Sequence, residues 1–258
     1  MTQIRNRAGI VLFTTGDGDV VSTLEQAAEQ GVDLTGAVLD ELDLSDANLE
    51  EARLAGASFR HARLEGVNLE DSELAGADFS GADLSGANLE DTNLSGANFE
   101  GAVLEDANFE EARMDRANLA GVRAQGANFE EAVLDGANLA GLQCEGGNFE
   151  DADLTSAGLR GARLSRANLE KCLLRGADLS RAELNEANLE KARLDGANLE
   201  GAQVRRANLE KASLRGARLI GADFSDCNFE RADLTGADLT QARTHGANFE
   251  GARGLSPG

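Results

Sequence analysis

The feature that most restricts this chain is a five-residue unit that recurs 44 times from Val32 to Gly251, with no insertion or deletion. Its central position, running 34, 39, 44 and onward to 249, is Leu, Phe or Met in 40 units; the exceptions are Ala124, Cys144, Val204 and Thr244. Two residues earlier the side chain is Ala in 34 units. Gly ends 22 units, where a tight turn favours a residue without Cβ. A period of five suits neither the 3.6-residue helix nor the two-residue strand. It suits a coil with flat sides, each side a short extended piece followed by a turn, with small and large side chains alternating inward. Stacked coils of this kind form parallel ladders about 4.8 Å apart.

A second, longer period says how many sides each coil has. Every twentieth residue from Asn48 to Asn248 is Asn, and every twentieth from Glu50 to Glu250 is Glu. The phenylalanines repeat at the same step, as Phe59, Phe79 and Phe99 and again as Phe109, Phe129 and Phe149. One turn around a four-sided coil produces this step. Amides one coil apart are expected to hydrogen-bond along the stack, as in other stacked parallel sheets.

Units such as Ala87-Asn88-Leu89-Glu90-Asp91 and Ala97-Asn98-Phe99-Glu100-Gly101 resemble the pentapeptide-repeat family, whose consensus is A-[DN]-[LF]-x-x. The resemblance covers about 220 residues. It implies an all-β fold: a right-handed quadrilateral parallel β-helix with four units per coil. That amounts to about 11 coils and a rod roughly 50 Å long.

The expected organisation is a capping segment over 1–31, the β-helix over 32–252 and a flexible tail over 253–258. Within the first segment, Gln3–Arg7 and Ile10–Phe13 read as a small hairpin about Ala8 and Gly9. Ser22 to Glu25 has capping-box spacing ahead of a short helix that Gly31 is placed to stop. The tail is too short to cover the last coil, so Phe229, Leu239, Phe249 and Leu255 are the candidate contacts for a homodimer through the C-terminal coils.

The sequence offers no chemistry. His61 and His245 fall on outward positions far apart, with no partner at triad spacing. Cys144, Cys172 and Cys227 replace Leu or Ala at inward positions and read as small buried hydrophobes. No zinc spacing occurs. Gly16-Asp17-Gly18-Asp19 lacks the other ligands of a calcium loop and reads as a surface loop. No catalytic residue, metal site or cofactor is therefore expected, and the chain is read as non-enzymatic. No apolar run is long enough to cross a bilayer and no leader is evident, which makes a cytoplasmic location the simplest reading.

Charge is the remaining signal. The net charge is −22, with neither Trp nor Tyr, so direct binding to nucleic acid is disfavoured. The charge is also polarised. Residues 1–155 hold 32 acidic and 8 basic side chains, whereas residues 156–258 hold 14 and 16. After each Glu of the twenty-residue column stands another acid as far as residue 151. The pairs are Glu50 and Glu51, Glu70 and Asp71, Glu90 and Asp91, Glu110 and Glu111, Glu130 and Glu131, and Glu150 and Asp151. The next four partners are Lys171, Lys191, Lys211 and Arg231. The six acidic pairs form the candidate interaction face.

Two functions follow from these features. One is an acidic repeat scaffold that binds a protein partner. The other comes from the family resemblance: some pentapeptide-repeat proteins imitate DNA, bind DNA gyrase or topoisomerase IV, and protect them from quinolones or peptide toxins. The chain resembles those members in geometry and acidity. It differs in having no inserted loop and no C-terminal helix.

Overall fold

The computed structural model describes residues 1–16 and 18–254. From Asp33 onward the backbone runs as isolated parallel bridges between residues twenty apart, from Asp33 with Arg53 to Asp233 with Arg253. Each bridge is made twice over. In the Asn column, for example, Leu49 N donates to Asn68 O at 2.7 Å and Asn68 N donates to Ala47 O at 2.9 Å. The four-sided coil expected from the twenty-residue step is the one observed.

The corners explain the unit length. Within a unit the central carbonyl accepts from the first N–H of the next unit, as Leu34 O does from Ala37 N at 2.9 Å. The last residue of the unit then lies in left-handed backbone, with φ between +53° and +74° at every fifth position from Gly36 to Gly251. A turn with one left-handed residue at its third place is the type II pattern, which favours Gly there. Half of these places are nonetheless filled by residues with side chains, among them Glu51, Asp71 and Lys171. Each such L residue costs roughly 1–2 kcal/mol, less for Asp. The bond from its own N–H to the next coil, such as Glu111 N to Glu130 O at 2.9 Å, helps hold it in place.

The core is a continuous column of the central residues and the alanines two places before them, buried as far as Leu234. Phe59, Phe79 and Phe99 stack at 4.8 and 5.0 Å. Phe99 meets Phe109 edge-on at 6.0 Å, and Phe109, Phe129 and Phe149 continue the stack at 5.0 and 4.9 Å. Where the pattern breaks, volume is exchanged locally. Ala124 and Cys144 stand at central positions whose earlier inward partners are Val122 and Leu142 instead of Ala. The Cys144 thiol fills the space that a Cβ on residue 147 would need, and that residue is Gly.

Polar groups at inward places are satisfied by the backbone. Ser72 and Thr92 hydroxyls donate to the Leu49 and Leu69 carbonyls at 2.9 Å. Cys172 and Cys227 thiols reach the Phe149 and Val204 carbonyls at 2.7 Å. Burial pushes the Cys144 and Cys227 thiols up to about 12 and raises Cys172 as well, so these thiols stay protonated and unreactive.

The first thirty residues form a hairpin, β1 (Thr2–Arg5) and β2 (Val11–Thr15), and one helix, α1 (Val20–Glu29). The hairpin loop is longer than the expected turn at Ala8 and Gly9. The Asn6 side chain organises it by accepting from both Ala8 N and Ile10 N at 3.0 Å. The helix also starts earlier than a Ser22 cap would allow. Asp19 is the N-cap, its carboxylate accepting from Ser22 N at 2.8 Å. Glu25, expected to close a capping box, accepts from Asn48 N at 3.1 Å and so ties the helix to the repeats. Gly31 follows the helix in left-handed backbone, as a C-terminal stop requires. Ile4, Leu24, Ala27 and Ala28 join the core.

Candidate protein-binding face

The acidic face is built on the Asn column. Every step of that column is hydrogen-bonded, Nδ2 of one Asn to Oδ1 of the Asn one coil before. The series runs from Asn68 to Asn48 at 3.0 Å, through Asn128 to Asn108 at 2.9 Å, to Asn248 to Asn228 at 3.1 Å. The same Oδ1 accepts from the backbone two residues on, as Asn128 Oδ1 does from Glu130 N at 3.2 Å. An Asn here has one geometry that satisfies both ends of its amide, which explains an unvaried column.

This ladder fixes the first acid of each pair. The second N–H of the Asn amide donates to the Glu of the preceding coil. Asn88 reaches Glu70 Oε2 at 3.0 Å, Asn128 reaches Glu110 at 3.2 Å and Asn148 reaches Glu130 at 2.9 Å. Glu70, Glu90, Glu110, Glu130 and Glu150 are therefore half-buried and folded back on the ladder, while Glu50 is exposed. The second acids, Glu51, Asp71, Asp91, Glu111, Glu131 and Asp151, are all exposed. Sequence reasoning grouped the two columns as equals. They differ because only the first sits within reach of an Asn amide one coil later.

Like charges stacked along the coils act on one another. Glu90 is raised from the ordinary carboxylate range by partial burial and by the Glu110, Glu70 and Asp91 charges. Glu111 is raised chiefly by Asp91 and Glu131. The sign reverses where the basic residues begin. Lys171 Nζ lies 2.9 Å from Glu150 Oε1 and 3.1 Å from Asp151 Oδ2, between the two acids of one pair. It holds Glu150 below the usual range and is itself raised. Lys191 bridges Glu170 at 3.1 Å and Glu190 at 2.9 Å, lowering Glu190 in the same way. No ion pair involves Glu70, Asp71, Glu90, Asp91, Glu110, Glu111, Glu130 or Glu131 among the described residues.

The other sites named from sequence are dispersed. His61 and His245 are exposed on different coils, and no group of three or more His, Cys, Asp or Glu poised to hold a metal occurs among the described residues. Among the described residues no helix is long and apolar enough to cross a membrane. At the far end, Phe229 is buried under Phe249, whose ring stacks on it at 5.0 Å. Leu239 and Phe249 are half-buried. Leu255 lies outside the described residues. One buried polar network was not foreseen. Asp223 is 3% exposed and accepts from Arg205 Nε at 2.7 Å and from Ser225 N at 3.1 Å and Oγ at 2.6 Å. The Ser225 hydroxyl and the Arg205 guanidinium hold its carboxyl down at about 2.

The pentapeptide-repeats family profile matches overlapping stretches that together run from residue 24 to 253. Among solved structures, HetL of the cyanobacterium Nostoc sp. strain PCC 7120 is 31% identical. The match covers 92% of this chain and 97% of HetL, with a TM-score of 0.46. HetL is described as a pentapeptide repeat protein involved in regulating heterocyst differentiation. A pentapeptide repeat protein of the Arabidopsis thaliana thylakoid lumen is also 31% identical, over 42% of this chain and 68% of its own, with a TM-score of 0.30. QnrB1, a plasmid-mediated fluoroquinolone resistance protein, is 22% identical over 83% of this chain and 91% of its own, with a TM-score of 0.36. No curated protein matches the chain in sequence.

Proposed function

Because the chain belongs to the pentapeptide-repeat family, whose members fold as right-handed β-helices and are in general interaction proteins rather than enzymes, we propose that it is a non-enzymatic scaffold. Its acidic face, from Glu50 and Glu51 to Glu150 and Asp151, binds a basic surface of a partner protein. One observation carries this reading. Lys171 seated between Glu150 and Asp151 is a worked example of what such a pair accepts, and the five pairs before it have no cation among the described residues. An ammonium or guanidinium arriving from a partner meets the same two carboxylates, relieves their mutual repulsion and is steered in by the field of the whole acidic half.

The division into a capping segment over 1–31, an eleven-coil helix over 32–252 and a tail over 253–258 belongs to this proposal, as does a cytoplasmic location. Immobilised full-length protein tests it. Proteins captured from a host lysate should be basic and should elute as salt rises from about 50 to about 200 mM, because the contact rests on exposed charge. Salt-resistant, uncharged partners count against it.

A second reading, a DNA mimic that engages DNA gyrase or topoisomerase IV, is favoured by charge density. Residues 32–155 carry 28 acids and 6 bases. With coils about 4.8 Å apart they span roughly 30 Å, or about one net charge per 1.4 Å against one per ~1.7 Å of duplex DNA. A supercoiling assay with purified gyrase separates the two readings. Inhibition or protection supports mimicry; an unaffected enzyme leaves the scaffold alone. Should the chain form a homodimer, its C-terminal coils, through Leu239 and Phe249, are one surface for it, and a dimer built there should be lost with Phe249→Glu.

A further inference from the structure

The N-terminal hairpin presents a surface of a different kind. The outer side of β1 is met by the repeats, since Asn6 bridges Ala37 and the Arg5 carbonyl accepts from Val38 N at 2.8 Å. β2 pairs only with β1. On its other side no backbone group of Val11–Thr15 has a backbone partner among the described residues. The register with β1 shifts once, at Leu12, and Thr15 at the far end is buried against Thr23 of α1. The sequence Ile10–Thr15 is IVLFTT, with neither the charge nor the proline by which edge strands are usually protected. Two exposed apolar side chains lie at its start, Ile10 at 60% and Val11 at 39%.

Charge indicates what covers the edge. Residues 1–16 contain Arg5 and Arg7 and no acid, in a chain of net charge −22. Both arginines lie toward the loop end of the hairpin, where Arg5 Nη1 donates to Gly9 O at 2.6 Å. Asp19 lies near the opposite end, where Thr2 pairs with Thr15 and the Thr2 hydroxyl donates to Gly18 O at 2.6 Å.

We infer that β2 pairs antiparallel with β2 of a second copy, Phe13 facing Phe13 across a two-fold axis. The two hairpins then form one four-stranded sheet. An antiparallel pairing about Phe13 sets the Arg7 end of each strand against the Asp19 end of the other, whereas a parallel one sets like ends together. It satisfies the open backbone groups of both edges in one closed contact. It also joins the chains through segments that carry no acid, where repulsion between two acidic molecules is least. Five residues of pairing with a few apolar side chains make a small interface, so the dissociation constant should be on the order of micromolar.

Sedimentation equilibrium of the full chain from about 1 to about 100 µM reads this directly. The mass should climb from 27.0 kDa toward twice that value. Val11→Lys and, separately, Thr14→Lys change exposed edge positions, and each should remain monomeric with an unchanged circular dichroism spectrum. Arg7→Glu should raise the dissociation constant several-fold. Changing Glu51, Asp71, Asp91, Glu111, Glu131 and Asp151 together to Lys should leave the dimer intact. A wild-type chain that stays monomeric throughout overturns the inference. So does a dimer of equal strength in both edge variants, or one lost with Phe249→Glu and kept with Val11→Lys.

Discussion

Asn128→Asp is nearly isosteric, and the family consensus allows Asp at this place in the unit, yet the ladder predicts that it is costly. Asn128 Nδ2 donates to Asn108 Oδ1 at 2.9 Å and to Glu110 Oε2 at 3.2 Å, while its Oδ1 accepts from Asn148 and Glu130 N. A carboxylate keeps both accepted bonds and loses both donated ones. At about 0.5–1.5 kcal/mol each, that loss is about 1–3 kcal/mol, to which repulsion from the half-buried Glu110 is added. Loss of about 2 kcal/mol should lower the melting temperature by roughly 4–8 °C. Asn48→Asp is the control. Asn48 begins the ladder: its Oδ1 accepts from Asn68, and among the described residues its Nδ2 donates to no side chain, so the same change should cost less there. Thermal unfolding followed by circular dichroism compares the two. The gap should narrow below about pH 4, where the introduced carboxyl takes up a proton and regains one donor. Equal melting temperatures for both variants at pH 7 would refute the ladder as a source of stability.

Three further outcomes can be checked with the same assay. Leu134→Lys, at a fully buried central position, should lose the wild-type unfolding transition because it buries an unpaired charge at a cost of several kcal/mol, while exposed Glu131→Lys should melt at or above wild type. Asp223→Asn keeps the Ser225 contacts but weakens the Arg205 pair. It should cost about 1–2 kcal/mol at neutral pH, discounted because Arg205 is half exposed. Since the folded carboxyl sits at about 2 against an ordinary 3.8, the stability it lends is complete above 3.8 and fades toward 2, so variant and wild type should converge there. Glu90 and Glu111 are raised, which has the opposite sign: their unfavourable contribution is present at neutral pH and relieved as pH falls toward 4.5. At low salt the melting temperature should therefore rise on mild acidification, and added salt should shrink that rise.

How much could be read beforehand follows from which residues have a single way of being satisfied. The inward frame was legible because burial tolerates so few substitutions at the central position. The Asn column was legible because its amide can bridge two coils only in register. The corners were half legible. Gly marked 22 of them, but Glu51 and Lys171 occupy the same left-handed backbone, and nothing in an acidic or basic side chain announces that conformation. The N-terminal segment was misread in detail because its boundaries depend on individual side chains. Asn6 enlarges the hairpin loop, and Asp19 caps the helix while Glu25 bonds to Asn48 instead. The inequality of the two acids in each pair was invisible in sequence. It depends on a side-chain geometry set by an amide about twenty residues away along the chain but only one hydrogen bond away in space.

The central claim is that the exposed acids from Glu51 to Asp151 are the working surface. The most direct measurement is a quantitative comparison of partners captured from one lysate by the wild-type chain and by a variant with Glu51, Asp71, Asp91, Glu111, Glu131 and Asp151 all changed to Lys. These six positions face water, and the same position holds Lys171, Lys191 and Lys211 in later coils, so the fold should survive. The wild type should retain basic partners that the variant loses by about tenfold or more. The same partners captured equally by a folded variant would contradict the claim.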